Sequence, residues 1–181
     1  MTLRALSSVS LAALIAATTF ASPAAAEMVF NRIASFPVNT NLASDEEQVT
    51  ETSAEIISAS GDGNMLVYTD SPAERIGFID ITDPKSPKPA GFVETDGEPT
   101  SIVVSGMTGF AGVNTSESFT DPSGYLAVIN LSDKGLSKSC DLGGQPDSVA
   151  LSRDGSRLAI AIENERDEDL NDGVIPQMPA G

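Results

Sequence analysis

Gly144-Gln145-Pro146-Asp147-Ser148-Val149-Ala150-Leu151-Ser152-Arg153-Asp154-Gly155-Ser156-Arg157-Leu158-Ala159-Ile160-Ala161-Ile162-Glu163-Asn164 reads as two short apolar runs around a tight turn. Val149, Leu151, Leu158, Ile160 and Ile162 supply branched aliphatic bulk, and Asp154-Gly155 supplies the positive φ that a hairpin favours. Working outward, the same pattern occurs earlier as Gly97-Glu98-Pro99-Thr100-Ser101-Ile102-Val103-Val104-Ser105, followed by Phe110 to Asn114. A weaker copy runs from Ala54 to Tyr68 and includes Ser60-Gly61-Asp62-Gly63-Asn64. Ser60, Ser105 and Ser152 correspond, which sets spacings of 45 and 47 residues.

Four short strands per repeat at that period predict an all-β chain of β-propeller blades, with four-stranded, YVTN/WD40-like repeats of about 45 residues. A β-sandwich would not need the Gly-x-Pro-x-Ser opening twice in the same phase, and a β-solenoid would have a shorter period. The repeats are expected at 54–96, 97–142 and 143–181, the third incomplete. The first should contain a hairpin, Glu55–Ser60 and Met65–Asp70, then strands over Ile76–Ile81 and Ala90–Thr95. The second should place strands near Thr100–Ser105, Phe110–Asn114, Tyr125–Leu131 and Leu136–Leu142. The third offers Asp147–Ser152 and Arg157–Glu163. Propellers close with about 4 to 8 blades, so this reads as an incomplete propeller. The expectation is an N-terminal fragment of a longer protein or a truncated product, with open blade edges that invite self-association.

The first 26 residues differ from the rest: Arg4 is their only charge, Leu11–Ala21 is apolar, and Ser22-Pro23-Ala24-Ala25-Ala26 ends in small residues. This is the pattern of a secretory signal peptide cut after Ala26, so the mature chain is expected to be secreted or periplasmic, with no membrane span after cleavage. Residues 27–53 would form an N-terminal strand over Met28–Val38, a candidate closure strand, followed by an acidic linker from Asn39 to Thr52.

The 181 residues hold 10 basic and 26 acidic side chains and no His. Removing Arg4 with the signal leaves 9 against 26, a formal charge of −17. Such a surface excludes a nucleic-acid partner, because phosphate contacts need Lys and Arg. Without His, Ser-His-Asp, Cys-His and histidine-containing zinc sites are incomplete. Cys140 is the single cysteine, so no disulfide forms within the chain. No Gly-x-Ser-x-Gly elbow and no phosphate-cradling glycine loop occurs. Asp147-Ser148 stands where Thr100-Ser101 stands in the preceding repeat, and so reads as a strand entry rather than a phosphatase nucleophile.

Two regions carry candidate chemistry. Residues 163–173 hold six acids and one base: Glu163, Glu165, Asp167, Glu168, Asp169, Asp172 and Arg166. Two carboxylates about 4 Å apart repel by about 1 kcal/mol in water and about 4 kcal/mol at an intermediate dielectric, so gathering them calls for a cation. Hard oxygen ligands select Ca²⁺ or Mg²⁺. Glu163, Glu165, Asp167, Asp169 and Asp172 are the candidate ligands, with a solvated acidic loop as the alternative. Asp167-x-Asp169-x-Asn171 has calcium-loop spacing, but an EF-hand would need Gly where Asp172 stands and Glu where Met178 stands. The second region is the set of loops that follow the second strand of each repeat, which share one face of a propeller. They make Asp70, Glu74, Asn114, Glu117 and Arg166, together with Glu163 and Glu165, candidates for a substrate face, beside the alternative of ordinary turn residues. Asn114-Thr115-Ser116 and Asn130-Leu131-Ser132 fit glycosylation sequons.

Phe30-Asn31-Arg32-Ile33-Ala34, Thr69-Asp70-Ser71-Pro72, Gly97-Glu98-Pro99-Thr100-Ser101, Val113-Asn114-Thr115-Ser116-Glu117-Ser118-Phe119, Gly144-Gln145-Pro146-Asp147-Ser148 and Ala161 to Glu168 together resemble the N-terminal part of exported phytase-like proteins. These are also labelled "esterase-like activity of phytase" or alkaline phosphatase. The resemblance covers nearly the whole mature chain. It implies a propeller continuing past Gly181 and a phosphoric monoester hydrolase or esterase-like activity on small phosphate esters. By analogy with calcium-dependent propeller phytases, the acids of the 163–172 loop would be metal ligands, although no residue-by-residue match to such a site exists. The alternatives are a non-catalytic propeller binding module and a chain with no independent activity.

Overall fold

The computed structural model describes residues 30–42 and 51–165. Phe30 and Asn31 carry no regular structure and belong to a separate N-terminal unit, and everything below concerns the unit that begins at Arg32.

Among the described residues ten strands follow in chain order: β1 (Ile57–Ala59), β2 (Met65–Asp70), β3 (Arg75–Asp80), β4 (Lys88–Glu94), β5 (Glu98–Ser105), β6 (Thr108–Asn114), β7 (Gly124–Asn130), β8 (Gly135–Asp141), β9 (Pro146–Leu151) and β10 (Leu158–Ile162). They pair antiparallel in sequence order into two four-stranded blades, β1–β4 and β5–β8, and the inner pair of a third, β9–β10. Observed strand bounds stay within a residue or two of those read from the sequence. Pro89 lies within β4, an outer strand of its blade, where a missing N–H is tolerated.

The turn inside the opening hairpin is built identically in blades one and three. Ser60 Oγ donates to Asp62 Oδ1 at 2.6 Å and accepts from Met65 N at 3.0 Å. Ser152 Oγ donates to Asp154 Oδ1 at 2.7 Å and accepts from Arg157 N at 2.9 Å. The following glycines, Gly63 and Gly155, take φ of 74° and 70°, a region most other residues avoid. Three donors on one carboxylate stabilise its charged form. Hydrogen bonds from the Ser152 hydroxyl, then from the Ser156 N–H and hydroxyl, hold Asp154 at about 2 against an ordinary 3.8. Its contribution to stability is therefore complete above pH 3.8 and fades as pH falls towards 2. Asp154→Ala should melt below the parent at pH 7 and converge on it by pH 2. A gap that persists at pH 2 would mean the turn does not depend on that charge.

Alternation along the strands sorts blade one into two faces. Val67, Ile76 and Phe78 turn towards blade two, where they join Ile102, Ala111, Val113, Ala127, Ile129 and Leu131 in one buried core, and Thr69 is buried on the same side as Ile76. The other face carries Tyr68, Gly77 and Ile79, also buried. The N-terminal segment covers it. Residues 30–37 form no strand, and Val38–Asn41 form a 3₁₀ helix, which corrects the expected strand over Met28–Val38. Pro37 cannot donate to a ladder, and its carbonyl accepts from Thr40 N at 3.1 Å and Thr40 Oγ1 at 2.6 Å, which winds the chain into a turn. Asn41, expected in a solvated linker, is buried instead.

Blades two and three meet through the Gly-x-Pro motif. Pro99 and Pro146 are both fully buried. Pro146 sits over two strand glycines of blade two: a Cβ on Gly112 would lie 2.9 Å from Pro146 Cβ, and one on Gly124 would lie 2.3 Å from Pro146 Cδ. Thr100 Oγ1 donates to the Pro146 carbonyl at 2.9 Å, and Val149 N donates to Ser101 Oγ at 3.0 Å. Between blades one and two, Ser71 Oγ donates to the Pro99 carbonyl at 2.9 Å and Gly61 N to the Gly106 carbonyl at 2.7 Å. Among the described residues no helix is long and apolar enough to cross a membrane. The expected signal segment lies outside those residues.

Candidate functional site

In an antiparallel four-stranded meander, the loop between the second and third strands leaves from the same end as the link to the next blade. The 71–74 and 115–123 loops, the 95–97 and 142–145 links and the residues after β10 therefore share one face. Two adjoining cavities of about 230 Å³ each open there. The first, at the junction of blades one and two, is lined by Glu74, Asp96, Glu98 and Asn114 with Thr115 and Ser116. The second, at the junction of blades two and three, is lined by Glu117, Phe119, Gln145 and Glu165 with Asn114 and Ser116.

The 115–123 loop that separates them is held by its own hydrogen bonds. Asn114 Oδ1 accepts from Ser116 N at 2.9 Å, Ser116 Oγ accepts from Ser123 N at 3.0 Å, and the Thr115 and Ser123 hydroxyls meet at 2.9 Å. Glu117 and Phe119 consequently project from a braced loop, and Phe119 is 45% exposed. Gln145 Oε1 accepts from Glu165 N at 3.2 Å, which ties the end of β10 to the link before β9.

Of the residues expected on this face, Glu74, Asn114, Glu117 and Glu165 line the two cavities. Asp70 is buried, with Oδ1 accepting from Ser53 N at 2.8 Å and Oδ2 from the Thr52 hydroxyl. Its carboxylate anchors the segment leading into β1. Asn164 holds the equivalent place in blade three, with Oδ1 accepting from Gln145 N at 3.1 Å. Asp70 and Asn164 are thus matching latches at the end of a second strand, and Asp70 is not part of the cavity lining. Glu163 is exposed beyond β10. Arg166, Asp167, Asp169 and Asp172 lie outside the described residues. Among the described residues no group of three or more carboxylate, thiol or imidazole side chains is arranged to hold a metal ion.

Asp96, Glu98, Phe119 and Gln145 were missed by sequence reasoning. Glu98 and Gln145 are the variable residues of the two Gly-x-Pro motifs, so the repeat itself marked them as equivalent positions on one face. Asp96 also forms an ion pair with Lys138, whose ammonium lies 4.5 Å from the Tyr125 ring centre. The hydrogen bond to Asp96 raises the Lys138 pKa. This pair closes one side of a larger hollow, about 470 Å³, where Cys140 is exposed on β8.

Residues 55–178 match the choice-of-anchor I domain family. Among solved structures, the chain is similar to a functionally unknown protein from Desulfotomaculum acetoxidans, with a TM-score of 0.44 at 19% identity over 60% of this chain and 36% of that one. It is also similar to the periplasmic gluconolactonase PpgL of Pseudomonas aeruginosa, with a TM-score of 0.45 at 19% identity over 63% of this chain and 34% of that one. The chain thus spans about a third of the length of each. No curated protein matches the sequence. The family match overturns the resemblance to phytase-like proteins. The motifs that carried that resemblance have structural work: Pro99 and Pro146 are buried at blade junctions, Asp70 latches the entry to β1, and Asn114 braces a loop. Over most of its length, this chain belongs to the choice-of-anchor I domain family.

Proposed function

We propose that this chain is a non-catalytic binding module of a secreted or surface-anchored β-propeller protein, and that its loop face takes positively charged ligands. One observation carries the reading: four carboxylates that form no ion pair among the described residues, those of Glu74, Glu98, Glu117 and Glu165, line two adjoining cavities on a single face, beside Asp96, which Lys138 already neutralises. Clustered carboxylates repel, and a bound cation relieves that repulsion. The residues lining these two cavities include no thiol or lysine amine to work with the carboxylates as a nucleophile or a base, and the chain has no imidazole. The net charge of −16 further favours approach of cationic partners.

Spermidine, a polyvalent organic cation, is the simplest probe of this face. It should raise the melting temperature of the full chain, and at 100 times its dissociation constant the added stability is about 2.7 kcal/mol. Glu98→Gln combined with Glu117→Gln should reduce that increase. A melt indifferent to Ca²⁺ and to polyvalent organic cations alike would sink the proposal.

A further inference from the structure

We draw no further inference here: the strongest candidate, the hollow of about 470 Å³ beside β8 lined by Tyr125, Lys138 and Cys140, holds a lone cysteine with no second feature that points to a ligand, since the Lys138 ammonium is paired with Asp96 and the buried Tyr125 hydroxyl accepts from Asp96 N at 3.3 Å.

Discussion

Gly124→Ala is expected to loosen blade three from blade two and to lower the melting temperature by roughly 10–20 °C. The added methyl would meet Pro146 Cδ at 2.3 Å, the Gly144 carbonyl oxygen at 2.8 Å and the Val113 carbonyl oxygen at 2.8 Å. None of these is the free end of a flexible side chain. Pro146 is fully buried with its ring held in place, and its own carbonyl is fixed by Thr100 Oγ1. Overpacking of this kind costs typically 1–3 kcal/mol, and more when backbone must move. About 3 kcal/mol in a folded region of this size corresponds to the temperature drop stated. Pro146→Ala alone should cost less, since it leaves a cavity that the strand can partly close. Combining it with Gly124→Ala should restore part of the loss, because the closest clash disappears while the two carbonyl contacts remain. The interaction energy of that double-mutant cycle should therefore be favourable. Strictly additive losses would show that the proline does not occupy the glycine surface in solution.

Asn41→Ala should cost about 2–4 kcal/mol, far more than an ordinary change in a linker. Its amide nitrogen donates to the Tyr68 hydroxyl at 3.0 Å and to the Phe78 carbonyl at 2.9 Å, and its oxygen accepts from Gly91 N at 3.2 Å. One side chain thus joins β2, β3 and β4 across the outer face of blade one. Truncation would orphan three polar groups on a face where Tyr68 is only 2% exposed, and each orphaned buried group costs about 1–3 kcal/mol unless water reaches it. Burial raises the Tyr68 pKa, and the hydrogen bond from Asn41 opposes that rise. Removing the amide should therefore push the phenol higher still, which a spectroscopic titration would register. Asn41→Asp separates packing from hydrogen bonding. The shape is kept, but an ionised carboxylate cannot donate to the Phe78 carbonyl, so that variant should also melt early. Parent-like melting of both variants would mean that the N-terminal segment does not hold this face.

Much of the fold was legible because its signals are local. The Ser-x-Asp-Gly turns repeat in residue identity, and short apolar runs flank them at fixed spacing. The candidate face was legible in part for a related reason. Equal positions in a repeat fall on equal positions in a blade, which brought Glu74, Asn114, Glu117 and Glu165 into the same neighbourhood. The errors arose where one residue type has two uses. Asp70 and Asn114 end equivalent strands, yet Asp70 is spent on the backbone of the incoming segment while Asn114 braces an exposed loop. Polarity alone does not distinguish a latch from a ligand. The supposed strand over Met28–Val38 failed at Pro37, whose carbonyl starts a helical turn.

The sequence by itself determined the blade: its length, its hairpin and its strand order, all set by φ, side-chain alternation and turn chemistry within 45 or so residues. The tertiary structure decided what only distant segments can decide. The Gly-x-Pro motif became a plug because Gly112 and Gly124 of the preceding blade leave room for the ring. Asn41 became a buried latch because three strands left one donor and two acceptors unmet on one face. Carboxylates from Glu74 to Glu165, distributed over three blades, became a shared face because antiparallel meanders return every second loop to the same end.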